Sequence, residues 1–440
     1  MTRIKFISVT LSLLMTLAGC GGGDSGGGNP PPPPPPITTA EAFQFLNQST
    51  FGSTQAEAQN VINSGIEFWI DQQLLQIASL QLPHLRNAPP PQFPFQLQPD
   101  RVDVWFRNVV NGNDQLRQRV AFALSEFMVV SQLGALRNLP FALADYHDLL
   151  AINAFSNYRT LMAEVTLHPA MGVYLSMLGN EKPDAALNIR PDENYARELM
   201  QLMSIGLVEL NLDGTIVRDA QNQPVPTYNQ QVIEGFAHVY TGWNFAGAPS
   251  FDLARPNAFN QTAPMQLYPS HHDTGEKLLL NGVTLPAGQT GDQDLAAALD
   301  NIFNHPNVGP FVSIRLIQRL VTSNPSPSYV ARVATVFNNN GQGVRGDLGA
   351  VVKAILMDEE ARPDLAMDPD GKNQGAAAPL DTTLARLQCR VRKREVPTLV
   401  ADPTVHFPGP GPAAVAVRIQ FFQSVLCASR RDQRQQFRRA

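Results

Sequence analysis

The chain has 440 residues, is 43% hydrophobic and 16% charged, and carries a formal net charge of −5. That length allows two or three compact domains, and the composition is that of an ordinary globular protein. Beyond the N-terminus no apolar run approaches the roughly 20 residues that a helical membrane span needs.

The first element is an address. Arg3 and Lys5 precede an apolar run over 6–17, which ends in Leu17-Ala18-Gly19-Cys20. A basic start, a short apolar stretch and small residues before a break describe a secretory signal over 1–19. The Leu-Ala-Gly-Cys ending resembles the bacterial lipobox, which implies acylation of Cys20 as the mature N-terminus. Gly21 in place of aspartate implies the outer membrane as destination. Residues 20–36 then form a tether, glycine-rich at first and closed by seven prolines, Pro30 to Pro36. At about 3.1 Å per residue, those prolines make a stiff rod of roughly 20 Å. The expectation is an exported, lipid-anchored protein whose partners include the membrane.

The body, 37–373, opens on Thr38-Thr39-Ala40-Glu41, a capping box. Helical periodicity follows over 56–62, 66–75, 102–110, 116–130, 142–155, 158–167 and 171–178. The stretch 190–207 (RPDENYARELMQLMSIGL) reads as one helix starting at Pro191, since proline and acids suit a first turn. Its apolar residues form two adjoining stripes, with Asn194, Arg197, Glu198 and Gln201 on a narrow polar edge between them. Two hairpins with primed turns are expected at Asp213-Gly214 and Asn281-Gly282. Helices resume over 230–240, 294–303, 308–321, 328–337 and 348–357. The expected fold class is mainly α, a multi-helical globular body with short β-hairpin insertions.

Six short motifs occur in order: Phe45 to Gly52 (FLNQSTFG), Leu116 to Phe122 (LRQRVAF), Asp192 to Leu199 (DENYAREL), Tyr240-Thr241-Gly242-Trp243, His272 to Lys277 (HDTGEK) and His305-Pro306-Asn307. In them the chain resembles the bacterial domain-of-unknown-function 1800 family, over roughly residues 40–370. The resemblance implies an exported protein often encoded beside a secreted family of sulfatase-like or phosphatase-like fold. It carries no settled activity. Many relatives read Glu-Leu-His-Thr-Leu-Gly where this chain has Gln201-Leu202-Met203-Ser204-Ile205-Gly206, and Met203 cannot replace a histidine in a hard oxygen/nitrogen metal site.

The tail, 374–440, differs. It holds 11 of the 33 Lys+Arg and 4 of the 38 Asp+Glu, leaving 22 basic against 34 acidic residues in the remainder. It also holds Cys389 and Cys427. One reading is a basic disordered tail. The other is a frameshift near residue 373, because codons allowed for 426–436, read one base later, can spell the family's Tyr-Ala-Pro-Pro-Gly-Glu motif. With an acidic body that repels phosphate, nucleic acid is not an expected partner.

Residues 37–373 contain no cysteine, which excludes thiol catalysis, zinc-thiolate sites and disulfides there. A Gly-x-Ser-x-Gly elbow, a P-loop and a Rossmann glycine pattern are all absent from the sequence. What remains is the cluster His271-His272-Asp273-Thr274-Gly275-Glu276-Lys277. His272 and Asp273 offer one edge of a divalent-metal site, completed by Glu198 or His168, or else a turn leading into a strand. Glu198, His272 and Glu276 are the catalytic candidates, and Asn194, Arg197 and Trp243 the binding candidates. His168-Pro169 and His305-Pro306 read as helix breaks, with each histidine capping the preceding carbonyls. Two functions stand open: a binding or assembly module acting with a secreted partner such as the sulfatase-like family, and an envelope hydrolase using an acidic/His cleft, with or without a divalent metal.

Overall fold

Side-chain oxygens start the helices. In the computed structural model, which describes residues 36–257 and 259–362, Thr38 caps the first helix, Thr39–Ser49, and Glu41 reaches back to the Thr38 N–H at 2.7 Å. Thr54 with Glu57 and Thr290 with Gln293 repeat this reciprocal cap. Each pairs two N–H donors that the first turn would leave open. Fifteen α-helices run through the described residues, with two antiparallel two-stranded sheets. The fold is mainly α with short hairpins. The signal, the tether up to Pro35 and the 374–440 tail lie outside the described residues.

One continuous apolar core joins Ala42 in the first helix to Ala361 at the end of the last described turn. Two small clusters flank it: Phe51, Trp105, Val109 and Val110, and Leu82, Leu85, Val104 and Ala144. The helices Val308–Leu320, Pro327–Asn338 and Leu348–Met357 pack in succession at one side of this core.

The stretch over 190–207 departs from the expected single helix. Pro191, Asp192 and Glu193 stay outside it because Asn180 brackets Asp192: the Asp192 N–H donates to Asn180 Oδ1 at 2.8 Å. The α-helix starts at Asn194, runs to Glu198, and gives way to a π-helix over Leu199–Ser204. Two hydroxyls occupy its carbonyls. Ser204 Oγ donates to Leu199 O, five residues back, at 2.6 Å, and Tyr158 donates to Met203 O. Side-chain donors of this kind compete with the regular ladder. Asn307 then pins the exit, its Nδ2 donating to Ile205 O at 2.9 Å and to Val208 O at 2.8 Å. The wide apolar face is as expected: Tyr195, Ala196, Leu199, Met200 and Met203 are buried.

Of the two hairpins, Lys277–Leu278 pairs with Thr284–Leu285, with Asn281 and Gly282 both at positive φ, the primed geometry. At Asp213-Gly214 only Gly214 is left-handed, and its N–H bonds back to Asn211 O at 2.9 Å. That is an ordinary turn closed by one left-handed residue, so the primed turn is corrected there. The expected helix over 116–130 stops at Ser125, where Tyr146 donates its hydroxyl to Met128 O at 2.7 Å. The short helix Leu82–Arg86 was not anticipated. His168 caps forward, its Nδ1 accepting from the Ala170 N–H at 3.1 Å, rather than serving the carbonyls behind it.

Candidate functional site

The polar edge of the Asn194–Glu198 helix faces outward. Asn194 is exposed and Glu198 half-buried. Arg197 pairs with Glu193 at 2.7 Å, and Gln230 Nε2 donates to Glu193 Oε1 at 2.8 Å and to Glu234 Oε1 at 3.2 Å. The result is an ionic strip across two neighbouring helices, the second being Gln230–Val239. Tyr228 lies beside it, and burial pushes its phenol up to about 12, with Arg197 pulling down and Glu198 pushing up. A phenol in that state stays protonated at neutral pH and acts only as a hydrogen-bonding group.

His272 belongs to a different place. It is 3% exposed, and both ring nitrogens are committed: Nδ1 faces Thr241 O at 3.0 Å and Nε2 faces Asp294 Oδ2 at 3.0 Å. Both of those partners are hydrogen-bond acceptors. Lys277 Nζ reaches the same Asp294 oxygen at 2.7 Å and donates to Gly275 O at 2.8 Å. Asp273 turns away from this buried network. Burial raises its carboxyl, but the Gly275 N–H at 2.7 Å, His238 and Lys277 outweigh that and hold it below the usual carboxylate range. His272 and Asp273, the expected metal edge, therefore have separate partners, and no group of three His, Cys, Asp or Glu is placed to hold a metal among the described residues. Glu276 is exposed, while Trp243 is 2% exposed in the strand that pairs with Leu267.

A third place, absent from the sequence reading, is a cavity of about 40 Å³ between the helices Gln98–Asn111, Gln115–Ser125 and Pro140–Ile152. Arg101, Trp105, Gln118, Gln81, His147 and Asp148 are among its walls. Burial shifts three of them. It lowers Arg101 to about 10 and His147 to about 3, the latter with help from Arg101, and raises Asp148 to about 7 against the N–H groups of Leu82 and Gln81. At neutral pH Arg101 is charged and His147 neutral.

The family model described as a protein of unknown function, DUF1800, matches residues 44–415. The chain belongs to the DUF1800 family. Among curated proteins and among solved structures nothing matches it. The match passes the change of composition near residue 373 and takes in part of the basic tail.

In this DUF1800 member the recognised motifs fall into physical roles. Tyr240-Thr241-Gly242-Trp243 and His272 to Lys277 form one knot. Gly242 sits at φ 85, where a Cβ would stand 2.9 Å from His272 N. Thr241 Oγ1 accepts the Asp273 N–H at 2.9 Å. Leu116 to Phe122 supplies Gln118, Ala121 and Phe122 to the cavity. The one sequence signal for that cavity was the LRQRVAF motif itself, in which Gln118 stands between two arginines at the start of a periodic helix.

Proposed function

We propose that this DUF1800 protein is an exported, lipid-anchored component of the cell envelope that works as a binding or assembly module beside a secreted partner. The lipobox at Cys20 and the Gly/Pro tether support the anchoring. What favours binding over hydrolysis is the sealing of His272. A general base must reach the proton it abstracts, whereas this imidazole is closed off and spends both nitrogens on Thr241 and Asp294. The edge bearing Asn194 and Arg197, by contrast, offers a charged strip to solvent.

The test is capture of envelope proteins by the full-length acylated chain, wild type against Arg197→Glu. The expected result is one secreted partner retained by wild type and lost by the variant, with equal thermal melts. No partner in either case, together with a hydrolytic activity that Glu198→Gln abolishes, would establish the envelope hydrolase instead. Elemental analysis of the same sample reads whether that hydrolase carries a divalent metal.

A further inference from the structure

The cavity walled by Arg101 holds a charge that no described residue neutralises by an ion pair. Arg101 is 2% exposed. Its Nε donates to Gln98 Oε1 and its Nη2 to Gln132 Oε1, each at 3.0 Å, and both acceptors are neutral amides. Among the described residues no carboxylate stands within ion-pairing distance of it. Asp148 acts on it only from further away, and each Asp148 oxygen already accepts a backbone N–H, from Gln81 at 2.7 Å and Leu82 at 2.8 Å. Buried guanidinium groups are ordinarily paired with an anion, because an isolated buried charge is costly.

A second, independent observation lies in the same wall. Gln81 is 3% exposed, and its Oε1 is a buried acceptor with no hydrogen-bond partner among the described residues. Of the two carboxyls in the same wall, Glu126 faces Arg319 at 4.0 Å and Asp148 is raised to about 7 by burial, so the cavity presents a cation and an open acceptor, and its complement is an anion that brings a donor hydrogen. Size narrows the class. At roughly 10–15 Å³ for each water-sized atom, about 40 Å³ admits three or four separate waters, and because bonded atoms overlap this corresponds to an acid of roughly four or five heavy atoms. A planar carboxylate matches the guanidinium fork, and a short acid leaves no bulk to place.

We propose that this cavity binds a short-chain monocarboxylate, whose carboxylate pairs with Arg101 and whose hydroxyl, where it has one, donates to Gln81 Oε1. The site is separate from the Asn194/Arg197 edge, and it stands or falls independently of the partner reading. The hydrophobic wall of Trp105, Phe122 and Leu143 takes the carbon end of the acid.

The test is isothermal titration of the full-length protein with sodium acetate and with sodium glycolate, against sodium chloride at the same ionic strength. Thermal melts are read in the same solutions. The expected result is saturable one-to-one binding of both acids with a rise in Tm, glycolate several-fold tighter, and neither effect from chloride. Arg101→Gln should keep the far-UV circular dichroism spectrum and lose acid binding. Gln81→Met should erase the preference for glycolate while acetate still binds. Should Arg101→Gln fail to fold, the wild-type comparison decides alone: an acetate response no larger than that of chloride overturns the proposal. Undiminished acetate binding in a folded Arg101→Gln protein overturns it as well.

Discussion

Replacing Lys277 by methionine keeps the aliphatic stem and removes one charge from the buried network beneath the hairpin. Lys277 and Asp294 have side chains 1% and 0% exposed, with Nζ and Oδ2 2.7 Å apart. At an effective dielectric of about 20, that separation corresponds to roughly 6 kcal/mol of attraction. Taking two ions out of water costs several kcal/mol each, so the intact pair contributes little net stability. Breaking it is another matter. Asp294 would remain sealed with its Oδ2 against the His272 ring, and among the described residues its Oδ1 has no hydrogen-bond partner. The expected loss is about 3–5 kcal/mol, read from urea unfolding followed by far-UV circular dichroism. The double variant Lys277→Met with Asp294→Asn removes both charges, and it should be less destabilised than the single one. A single-variant loss below about 1 kcal/mol, or a double variant at least as damaged as the single, would refute the reasoning.

Gly235→Ala should unfold the protein or cost more than about 3 kcal/mol, because the added Cβ would stand 1.9 Å from the Leu278 carbonyl oxygen; a urea midpoint within error of wild type would contradict the packing described. Thr54→Ala should lose about 1 kcal/mol by removing the oxygen that accepts the Glu57 N–H, measured in the same way. Asp148 links the cavity to pH. Its carboxyl is raised from 3.8 to about 7 by burial, so above pH 4 the unfolded chain ionises while the folded one holds its proton. Stability from this group is therefore present below about pH 4 and lost as pH rises through about 7, by roughly 4 kcal/mol in all. The stability difference between wild type and Asp148→Asn should move by that order across the window, in favour of the variant at the alkaline end; a pH-independent difference would show that the carboxyl is ionised throughout.

Local chemistry made much of this fold legible. Thr38 with Glu41, and Asn281-Gly282 between two short apolar runs, announce a cap and a primed turn because each acts within four residues. The Leu199–Ser204 π-helix was not legible, since of its two hydroxyl donors only Ser204 is local, while Tyr158 reaches in from 41 residues before Leu199 and Asn307 pins the exit from 103 residues after Ser204. The same holds for the site. The motifs containing Arg197 and His272 could be found, yet their separation into a solvent-facing edge and a sealed network depended on Asp294, which lies in no motif, and on the backbone carbonyl of Thr241, whose partner no motif announces. Arg101 gave no signal at all. An arginine in an amphipathic helix reads as solvated, and only the packing of three helices buries this one.

Ile37 and Arg362 line one groove, together with Phe68 and Met357, and Gln48 Nε2 in the first helix donates to Ala361 O at 2.7 Å. The folded body is therefore nearly a closed circuit, entered and left at the same pole. A tension applied between those two residues would load the Gln48–Ala361 bond and its neighbours one at a time, as a zipper is opened, instead of shearing many helices together. Joining the two by a short linker and cutting the chain at an exposed turn such as Asp219 to Asn222 would keep every described helix in place, so the circuit can be reopened elsewhere without losing its wiring.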